Sequence, residues 1–530
     1  MADTSFGATK CLCLAIGLSL SGVSIAQQAQ TAAPAIEQPQ AEPAKTPAPP
    51  APTGYPLEAQ GWGAKQGGNM WQVRWAEDWS YLKDTSKRKS PFDPLKFIPL
   101  SESGDVYLTL NNELRVRSNT VTNPGLIPGS HSQQQYLFRA FFGADLHVGE
   151  HFRLYTELAH GSLDGRNEGA KTGTQENNAI LQQVFFDVKG QVAETDLGLR
   201  VGRQVFVDGP TTLMALRDNT DIFVTFNGVR AWAIGEKTRV DVFDFNFNLD
   251  GTEGLGDDRI DRSRHFRGVV GGYRLPTAKP MYLEPFFYQF RNDNQVWGRQ
   301  TAEENRNYYG LRLWGNVGKL RTDSFVTVQR GSFGGRDLRA YMASTSNAWT
   351  LSDSGWKPRL GFHSEIASGG GGTSGTGTLR NNNFLYGNTI YFSWATFFGP
   401  VNLVTAAPTF TFSPTPKITV NLEWETLWRQ TTSDAIYNNQ ARAYARTQNT
   451  GERRIGTMPR INATWNIDPN WSVTFRAEHL MAGPALEKAG YGDSTFVMGW
   501  LNFRLGKRGA PPHDADHTAQ PPGAFLAVVA

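Results

Sequence analysis

The sequence of 530 residues has only two cysteines, and no apolar run in it is long enough for a membrane-spanning helix, which needs about 20 residues. The longest apolar run, residues 11–24, contains both cysteines, follows Lys10 and ends beside the small residues Ser24 and Ala26. This order is typical of a secretory signal peptide, which we assign to residues 1–26; a short buried helix is the alternative. Without that segment the chain has no cysteine, which excludes disulfides, thiol nucleophiles and cysteine metal sites.

An excess of charge of one sign is also missing, because 52 Lys and Arg residues stand against 49 Asp and Glu residues. The net charge of +3 gives no reason to expect a nucleic-acid partner. The sequence has no nucleophile elbow, zinc-protease motif or phosphate loop, and its nine histidines do not pair at ligand spacing. Acidic residues cluster between Asp250 and Asp261 without EF-hand spacing, which favours a solvated loop over a Ca²⁺ site. We therefore predict no catalytic residue, no metal and no cofactor.

What the sequence does contain is a strict alternation of apolar and polar side chains, which begins at position 106. The apolar set is Val106, Leu108, Leu110, Leu114 and Val116, and the polar set is Tyr107, Thr109, Asn111, Glu113, Arg115 and Arg117. Because a strand directs successive side chains to opposite faces, one face is apolar and the other is hydrated. The pattern recurs about every ten residues with turn residues between, which predicts an all-β fold, a transmembrane antiparallel β-barrel.

Eighteen segments carry this alternation. They are residues 106–117, 136–148, 152–160, 180–189, 196–204, 222–234, 239–248, 265–275, 281–290, 307–315, 319–330, 338–350, 357–368, 401–412, 417–430, 454–467, 471–480 and 494–505. Segment 390–397 is a nineteenth candidate, which we assign to a loop because bacterial barrels of this kind use an even number of strands.

The connections between these segments alternate between short and long. The long ones are residues 118–135, 161–179, 205–221, 249–264, 291–306, 369–400 and 431–453, with 331–337 as a short exception. Short periplasmic turns and long outer loops are typical of outer-membrane barrels. The lack of a fixed repeat argues against the alternative, a soluble propeller or solenoid.

Three further regions are predicted outside the barrel, which we assign to residues 106–505. Residues 27–56 are rich in Ala, Gln and Pro, which indicates a disordered linker on the periplasmic side. Residues 57–105 form an N-terminal segment on the same side, in which Trp71, Trp75 and Trp79 suit one face of a short helix. Residues 506–530 form a C-terminal tail.

The charged faces of the strands are expected to point into the lumen, because a charge on the lipid face costs roughly 2–4 kcal/mol at the membrane midplane. Because every second residue of a strand lies on the same face, eleven arginines are predicted to point inward: Arg115, Arg117, Arg139, Arg153, Arg200, Arg312, Arg321, Arg359, Arg429, Arg460 and Arg476. Ten carboxylates share these faces: Glu113, Asp145, Glu157, Asp187, Glu284, Asp323, Glu365, Glu423, Glu425 and Glu478. Two hypotheses stay open, a wall of compensating ion pairs and an arginine ladder that conducts a polyanion. On the outer face Trp424, Trp428, Trp465 and Trp471 suit aromatic belts.

Several motifs follow one another in a characteristic order. They are RWAEDWSYL at 74–82, DPLKFIPL at 93–100, LTLNNELRVR at 108–117, RAFFGADL at 139–146, RVGRQ at 200–204, FNGVR at 226–230, and WR at 428–429 with DAIY at 434–437. In this order they resemble the alginate export family of outer-membrane porins over roughly residues 70–505. The resemblance implies a monomeric barrel of eighteen strands, with an arginine-lined constriction that lets an anionic uronate polysaccharide leave the periplasm.

The matched motifs and the inward parity together define the candidate site. We predict a pore-lining, polyanion-binding set of Arg115, Arg117, Arg139, Arg153, Arg200, Arg230, Arg359, Arg429, Arg460 and Arg476. Arg203 also lies in a matched motif, but it falls on the same outward face of its strand as the apolar Leu199 and Val201. We therefore expect either a bulge that redirects its side chain or a position at the rim of the barrel. Residues 205–223 are less basic than the resemblance leads us to expect.

We therefore predict a monomeric porin in the outer membrane of a Gram-negative cell, in contact with membrane lipid. Its expected solute is anionic, with export of an acidic, alginate-like polysaccharide as the specific hypothesis. A general or small-solute uptake porin is the alternative, and an enzyme with a site at the rim of the barrel is a third reading.

Overall fold

The computed structural model describes residues 55–67, 69–169 and 171–506. The predicted signal peptide, the predicted linker up to residue 54 and the predicted tail from residue 507 lie outside the described residues. The linker prediction is wrong for its last two residues, because Tyr55 is buried against Tyr282 with a ring-centroid distance of 5.4 Å. The folded part of the chain thus includes Tyr55.

Eighteen strands form one closed antiparallel barrel, as predicted from the alternation. They are β1 Val106–Val121, β2 Gln133–Val148, β3 Phe152–Arg166, β4 Asn177–Val192, β5 Thr195–Gln204, β6 Phe226–Ile234, β7 Thr238–Leu249, β8 Arg259–Arg274, β9 Met281–Trp297, β10 Gln300–Val317, β11 Leu320–Phe333, β12 Arg336–Thr350, β13 Arg359–Ala367, β14 Leu403–Thr415, β15 Ile418–Arg429, β16 Arg454–Asn466, β17 Trp471–Ala482 and β18 Ser494–Arg504. Each strand pairs with the next, and β18 closes the barrel on β1, with Trp500 opposite Arg117. Closure leaves no strand edge unpaired, which a span across lipid requires.

The two faces of the strands differ as the alternation predicts. On β1 the Val116 side chain is 58% exposed on the outside, whereas its neighbour Arg115 is 1% exposed on the inside. Trp424, Trp465 and Trp471 are exposed on the outer face, and the remaining predicted belt residue, Trp428, is half-buried. The exterior is therefore apolar and the interior carries the charges, as in a barrel that stands in lipid.

One end of the barrel carries short turns and the other end carries most of the long loops, but several predicted boundaries are wrong. Strand β3 ends at Arg166 rather than at residue 160, and β8 begins at Arg259 rather than at residue 265. Residues 291–306 are not a loop, because β9 and β10 continue to Trp297 and Gln300 and are joined by a two-residue turn. The polar residues that suggested a loop belong to the two strands of a hairpin. The turn of this hairpin contains Gly298, which has a φ of +59°. The predicted strand 222–234 begins only at Phe226, because Ile222 and Phe223 are buried inside the barrel instead.

Two of the long loops fold into the lumen. Loop 205–225 and loop 368–402 meet there, where the backbone N–H of Ala215 donates to the Tyr386 carbonyl at 3.1 Å and that of Asn388 donates to the Thr211 carbonyl at 2.8 Å. The assignment of residues 390–397 to a loop is confirmed, with only a 3₁₀ turn at Thr389–Tyr391. Apolar side chains of both loops join the inner faces of β6 to β9 in one buried cluster, so the lumen has a core of its own.

The first part of the N-terminal segment lies inside the barrel, where Arg74 binds Glu113 and Glu157 of the wall, whereas residues 83–90 are mostly exposed. The segment consists of short strands Lys65–Gly67 and Met70–Trp71, 3₁₀ turns Leu57–Ala59, Arg74–Ala76, Ser80–Lys83 and Thr85–Lys87, an α-helix Asp93–Lys96, and a strand Ile98–Pro99 that pairs with β1. The prediction of one helix bearing three tryptophans is wrong, because separate short elements bury Trp71, Trp75 and Trp79 one by one. The other helical turns are Pro124–Leu126, Thr447–Asn449 and Pro484–Glu487. Among the described residues, no helix is both long and apolar enough to span a membrane.

Candidate functional site

All ten predicted pore-lining arginines lie on inward faces of the barrel strands. Nine of them are buried: Arg115, Arg117, Arg139, Arg153, Arg200, Arg230, Arg429, Arg460 and Arg476. Arg359 is half-buried at the first position of β13, beside a short turn. The parity argument thus placed the side chains on the correct face, and their partners decide what each one does.

A cluster of arginines on β1 and β2 surrounds the tip of loop 205–225. Arg139 donates to the Asp218 carboxylate at 2.7 Å, and Arg115 donates to the Asp218 carbonyl at 2.9 Å and to the Asp221 carboxylate at 3.3 Å. Arg139 also pairs with Glu113 on β1. Sequence reasoning did not identify Asp218 or Asp221 as partners, because no local pattern says that this loop turns inward.

Arg117 is the member of this cluster with the fewest anionic partners. Its guanidinium donates to the Asn219 carbonyl at 2.7 Å and to the Asn219 side-chain oxygen at 3.2 Å. Among the residues that the structure describes, no carboxylate oxygen lies within 4.0 Å of it. Nearby on β17, the Arg476 guanidinium lies 4.7 Å from the centre of the Trp500 ring and donates to Asn462 at 2.9 Å. These guanidinium groups form an inward patch with more cations than loop carboxylates.

A cavity of about 500 Å³ opens above this patch at the long-loop end of the barrel. Its charged lining residues are Arg117, Arg217, Glu168 and Asp221. Its remaining lining is rich in amide side chains, namely Asn119, Gln133, Gln135, Asn167, Gln175, Asn219, Asn438, Asn439 and Gln440. The cavity is wide enough for a polar solute and has Arg117 in its wall.

Toward the short-turn end, the wall carries a row of ion pairs between neighbouring strands. Arg200 binds Asp187 at 2.7 Å, Arg230 binds Asp241 at 2.7 Å and Arg312 binds Asp323 at 2.6 Å. Arg153 pairs in the same way with Asp145, and Arg239 pairs with Asp208 of the inward loop at 2.7 Å and with Glu284 at 3.0 Å. This part of the wall follows the hypothesis of compensating pairs.

The inward loop supplies a carboxylate that completes this row. Burial opposes ionisation of Asp208, but the Arg239 guanidinium beside it outweighs that effect, with help from Arg230 and Arg312, and holds the pKa of Asp208 below its usual value. Asp208 therefore stays charged and fixes loop 205–225 to the wall.

A second cavity, of about 520 Å³, lies at the short-turn end. Arg153 and Arg200 of the wall line it together with Trp62, Trp75 and Trp232. Deeper in the N-terminal segment, Lys96 donates to Asn111 at 2.6 Å and lies 3.4 Å from Glu77. Burial lowers the pKa of the Lys96 ammonium to about 8, although Glu77 opposes the shift.

The tip of loop 368–402 is held to the opposite wall by one cation and one anion. Arg460 donates to the Tyr391 carbonyl at 3.0 Å and also pairs with Glu423. The Glu478 carboxylate accepts hydrogen bonds of 2.7 Å from the Ser393 hydroxyl and from the backbone N–H groups of Trp394 and Ala395. Glu478, which the sequence placed on the lumen side without a role, is a positioning residue for the loop.

Two further candidates are engaged in loops at the outer rim. The Arg429 guanidinium donates to the carbonyls of Glu452, Thr432, Asp434 and Thr447, and so organises loop 430–453. Arg203 reaches Asp258 of an outer loop at 3.0 Å, which is the rim position that its parity required.

The described residues contain no group of three or more His, Asp or Glu side chains arranged to hold a metal ion. In the acidic stretch that the sequence analysis noted, Asp258 binds Arg203, and Asp261 binds Arg264 at 2.6 Å. These carboxylates are part of the ion-pair pattern of the outer loops.

A family model described as alginate export matches residues 106–499. Among solved structures, the chain is similar to Pseudomonas aeruginosa OccK9 (OpdG), with 12% identity, a TM-score of 0.52, and coverage of 75% of this chain and 98% of that chain. It is also similar to Pseudomonas aeruginosa OpdO, with 12% identity, a TM-score of 0.50, and coverage of 75% and 97%. No curated protein matches the chain. At this identity the structural likeness concerns the fold alone, but the family model spans nearly the whole barrel, so the chain belongs to the alginate export family and is a porin of the outer membrane.

Proposed function

We propose that this porin passes anionic solutes, and that its specific role is the export of an acidic, alginate-like polysaccharide. The family and the fold are those of transport porins, which are not enzymes. The single observation that carries the proposal is Arg117, a buried guanidinium in the wall of the outer cavity without a carboxylate within ion-pair distance among the described residues. A cation in that state attracts an anion from the cavity.

The neighbours of Arg117 have carboxylate partners. Arg115 and Arg139 pair with two loop carboxylates, Asp218 and Asp221, and Arg139 also pairs with Glu113, so Arg117 is the guanidinium of this group that adds positive charge without a carboxylate of its own among the described residues. Guanidinium groups bind carboxylates in a bidentate geometry, which suits a uronate chain. A pore must also release its solute, and partial neutralisation by the loop keeps each contact weak enough for that.

One chain closes one barrel through the pairing of β18 with β1, and we infer that the porin acts as a monomer in contact with lipid. The compensated row toward the short-turn end favours a second candidate function, a general or small-solute uptake porin. In that row Arg200, Arg230 and Arg312 each have a wall carboxylate, so the formal charges of these pairs compensate one another.

Ion selectivity distinguishes the two functions. We would record single openings in planar bilayers under a KCl gradient and measure the reversal potential. We expect the wild type to prefer chloride, Arg117→Gln to lose part of this preference, and Arg339→Gln, the matched control in an exposed ion pair with Asp337, to keep it. Trigalacturonate should block the wild type more strongly than a neutral trisaccharide. A cation-selective wild type, or equal block by both sugars, would overturn the proposal.

A further inference from the structure

We propose that residues 55–67 and 69–79, which we name the N-terminal plug, autoinhibit this porin by covering the inner faces of Arg153, Arg200 and Arg230. The proposal rests on the proposed function only in assigning an anionic solute to those three arginines. The closure of the pore by the plug is a separate claim and is tested separately below.

The plug crosses the lumen from one side of the barrel to the other. At one end Tyr55 packs against Tyr282 on β9. At the other end the Trp71 carbonyl accepts a hydrogen bond of 2.5 Å from Arg504 on β18. A solute that moves along the barrel axis meets this segment, so the segment must shift before anything larger than a small ion passes.

The plug lies on the faces of the three arginines that would otherwise meet a solute. The Arg200 guanidinium lies 3.9 Å from the centre of the Trp75 ring, and the Arg230 guanidinium lies 4.1 Å from the centre of the Trp62 ring. Arg153 donates to the Trp75 carbonyl. An indole ring attracts a guanidinium through its negative face, so the plug substitutes for an anion at Arg200 and Arg230 through its rings and at Arg153 through a carbonyl oxygen.

The covered arginines keep unused hydrogen-bond donors. The Nη1 atoms of Arg200 and Arg230 are buried and have no hydrogen-bond partner, because each wall carboxylate takes only the Nε and Nη2 donors. A buried donor without a partner is costly. Removal of the plug would leave two unused guanidinium donors facing the lumen, which is the chemistry that a carboxylate-bearing solute needs.

One buried cation fixes the plug to the wall. Arg74 donates to Glu113 on β1 at 2.8 Å and to Glu157 on β3 at 2.7 Å, and its guanidinium is 4.3 Å from the centre of the Phe141 ring. Without Arg74, Glu157 has no cation within ion-pair distance among the described residues, and Glu113 keeps only Arg139. The attachment is therefore electrostatic as well as apolar, and a change of one charge should weaken it.

Charge reversal at position 74 tests the closure in the full chain with Cys11 and Cys13 replaced by serine. Arg74→Glu places a third carboxylate beside Glu113 and Glu157, and we expect the open probability in planar bilayers to rise on the order of a hundredfold, because the loss of one partner of a buried ion pair is strongly destabilising. Lys87→Glu is the matched control: it changes the same charge in an exposed turn of the N-terminal segment, and it should gate like the wild type.

The exchange Arg74→Glu with Glu157→Arg keeps a cation between two carboxylates and should restore the closed pore. Heat-modifiable migration of Arg74→Glu on semi-native gels shows that the single variant still forms a folded barrel. Unchanged gating in Arg74→Glu, or the same gating change in Lys87→Glu, would overturn the proposal.

A thiol placed on the plug reports its movement directly. The Ala59 side chain is 1% exposed. In Ala59→Cys the thiol should therefore react slowly with a membrane-impermeant maleimide. It should react many times faster when Arg74→Glu is also present. Equal labelling rates in both backgrounds would refute movement of the plug.

The role of the covered arginines is tested by measuring how strongly trigalacturonate, added on the short-turn side, blocks the current. We expect block in Arg74→Glu that weakens severalfold when Arg200→Gln is added. Block that Arg200→Gln leaves unchanged would refute the role of the covered arginines. Opening in Arg74→Glu together with a cation-selective pore would refute the proposed function and leave the plug in place as a gate.

Discussion

The three hydrogen bonds to Glu478 provide the sharpest quantitative prediction. Its carboxylate accepts from the Ser393 hydroxyl and from the backbone N–H groups of Trp394 and Ala395, each at 2.7 Å. Glu478→Ala leaves one buried backbone donor, Trp394 N–H, and one partly buried donor, Ala395 N–H, without a partner, and each such donor costs about 1–3 kcal/mol. The loop tip should therefore lose roughly 2–6 kcal/mol of anchoring. Glu478→Gln keeps a neutral acceptor, which forms bonds about half as strong, and should lose less.

Hydrogen exchange of the peptide that covers residues 390–397 measures this loss. Since about 1.4 kcal/mol corresponds to a factor of ten, protection should fall by about 30-fold or more in Glu478→Ala and by a smaller factor in Glu478→Gln. Single-channel conductance should rise in the same order as the tip leaves the lumen. Glu487→Gln, an exposed glutamate in the helical turn Pro484–Glu487, is the control and should leave both measurements unchanged. Wild-type protection of residues 390–397 in Glu478→Ala would refute the argument.

The barrel wall yields two further predictions, both measured as the midpoint of heat-induced unfolding on semi-native gels. Val328→Arg puts a charge on the lipid face in the middle of β11 and should destabilise by about 2–4 kcal/mol, whereas Leu351→Arg, in a short turn, should cost at most about 1 kcal/mol; equal midpoints would contradict a lipid-facing Val328. Arg312→Ala leaves Asp323 without its cation and Glu284 with Arg239 alone, and should cost about 3–5 kcal/mol, while Arg339→Ala removes an exposed pair and should cost at most about 1 kcal/mol. A wild-type midpoint in Arg312→Ala would argue against the compensated row.

The number of strands and the direction of the side chains were determined by the sequence alone. Both depend on a period of two along the chain, so neither needs knowledge of any distant residue. The prediction of inward-facing Arg115 and outward-facing Val116 needed only their positions in β1. The same local rule explains why a loop was wrongly predicted at 291–306. Beyond the membrane both faces of a strand meet water, so the strand no longer needs an apolar side chain at every second position.

The partners of the inward charges were decided only by the tertiary structure. Arg139 and Asp218 are 79 positions apart, and Arg74 and Glu157 are 83 apart. Parity assigns a side chain to a face but does not say which loop or segment folds onto that face. For this reason the sequence left the ion-paired wall and the arginine ladder equally open, while the structure divides the arginines between a compensated row and the patch around Arg117.

The location of the N-terminal segment likewise required the whole barrel. Its tryptophans suggested one helical face, but Trp75 is buried in a cluster with side chains of β4, β6 and β9 that lie far along the chain, whereas Trp79 packs against Leu82 and Phe97 of the segment itself. Local alternation thus determined a barrel with a charged interior. What fills that interior was determined by contacts between distant residues, because these contacts exist only once the barrel has closed.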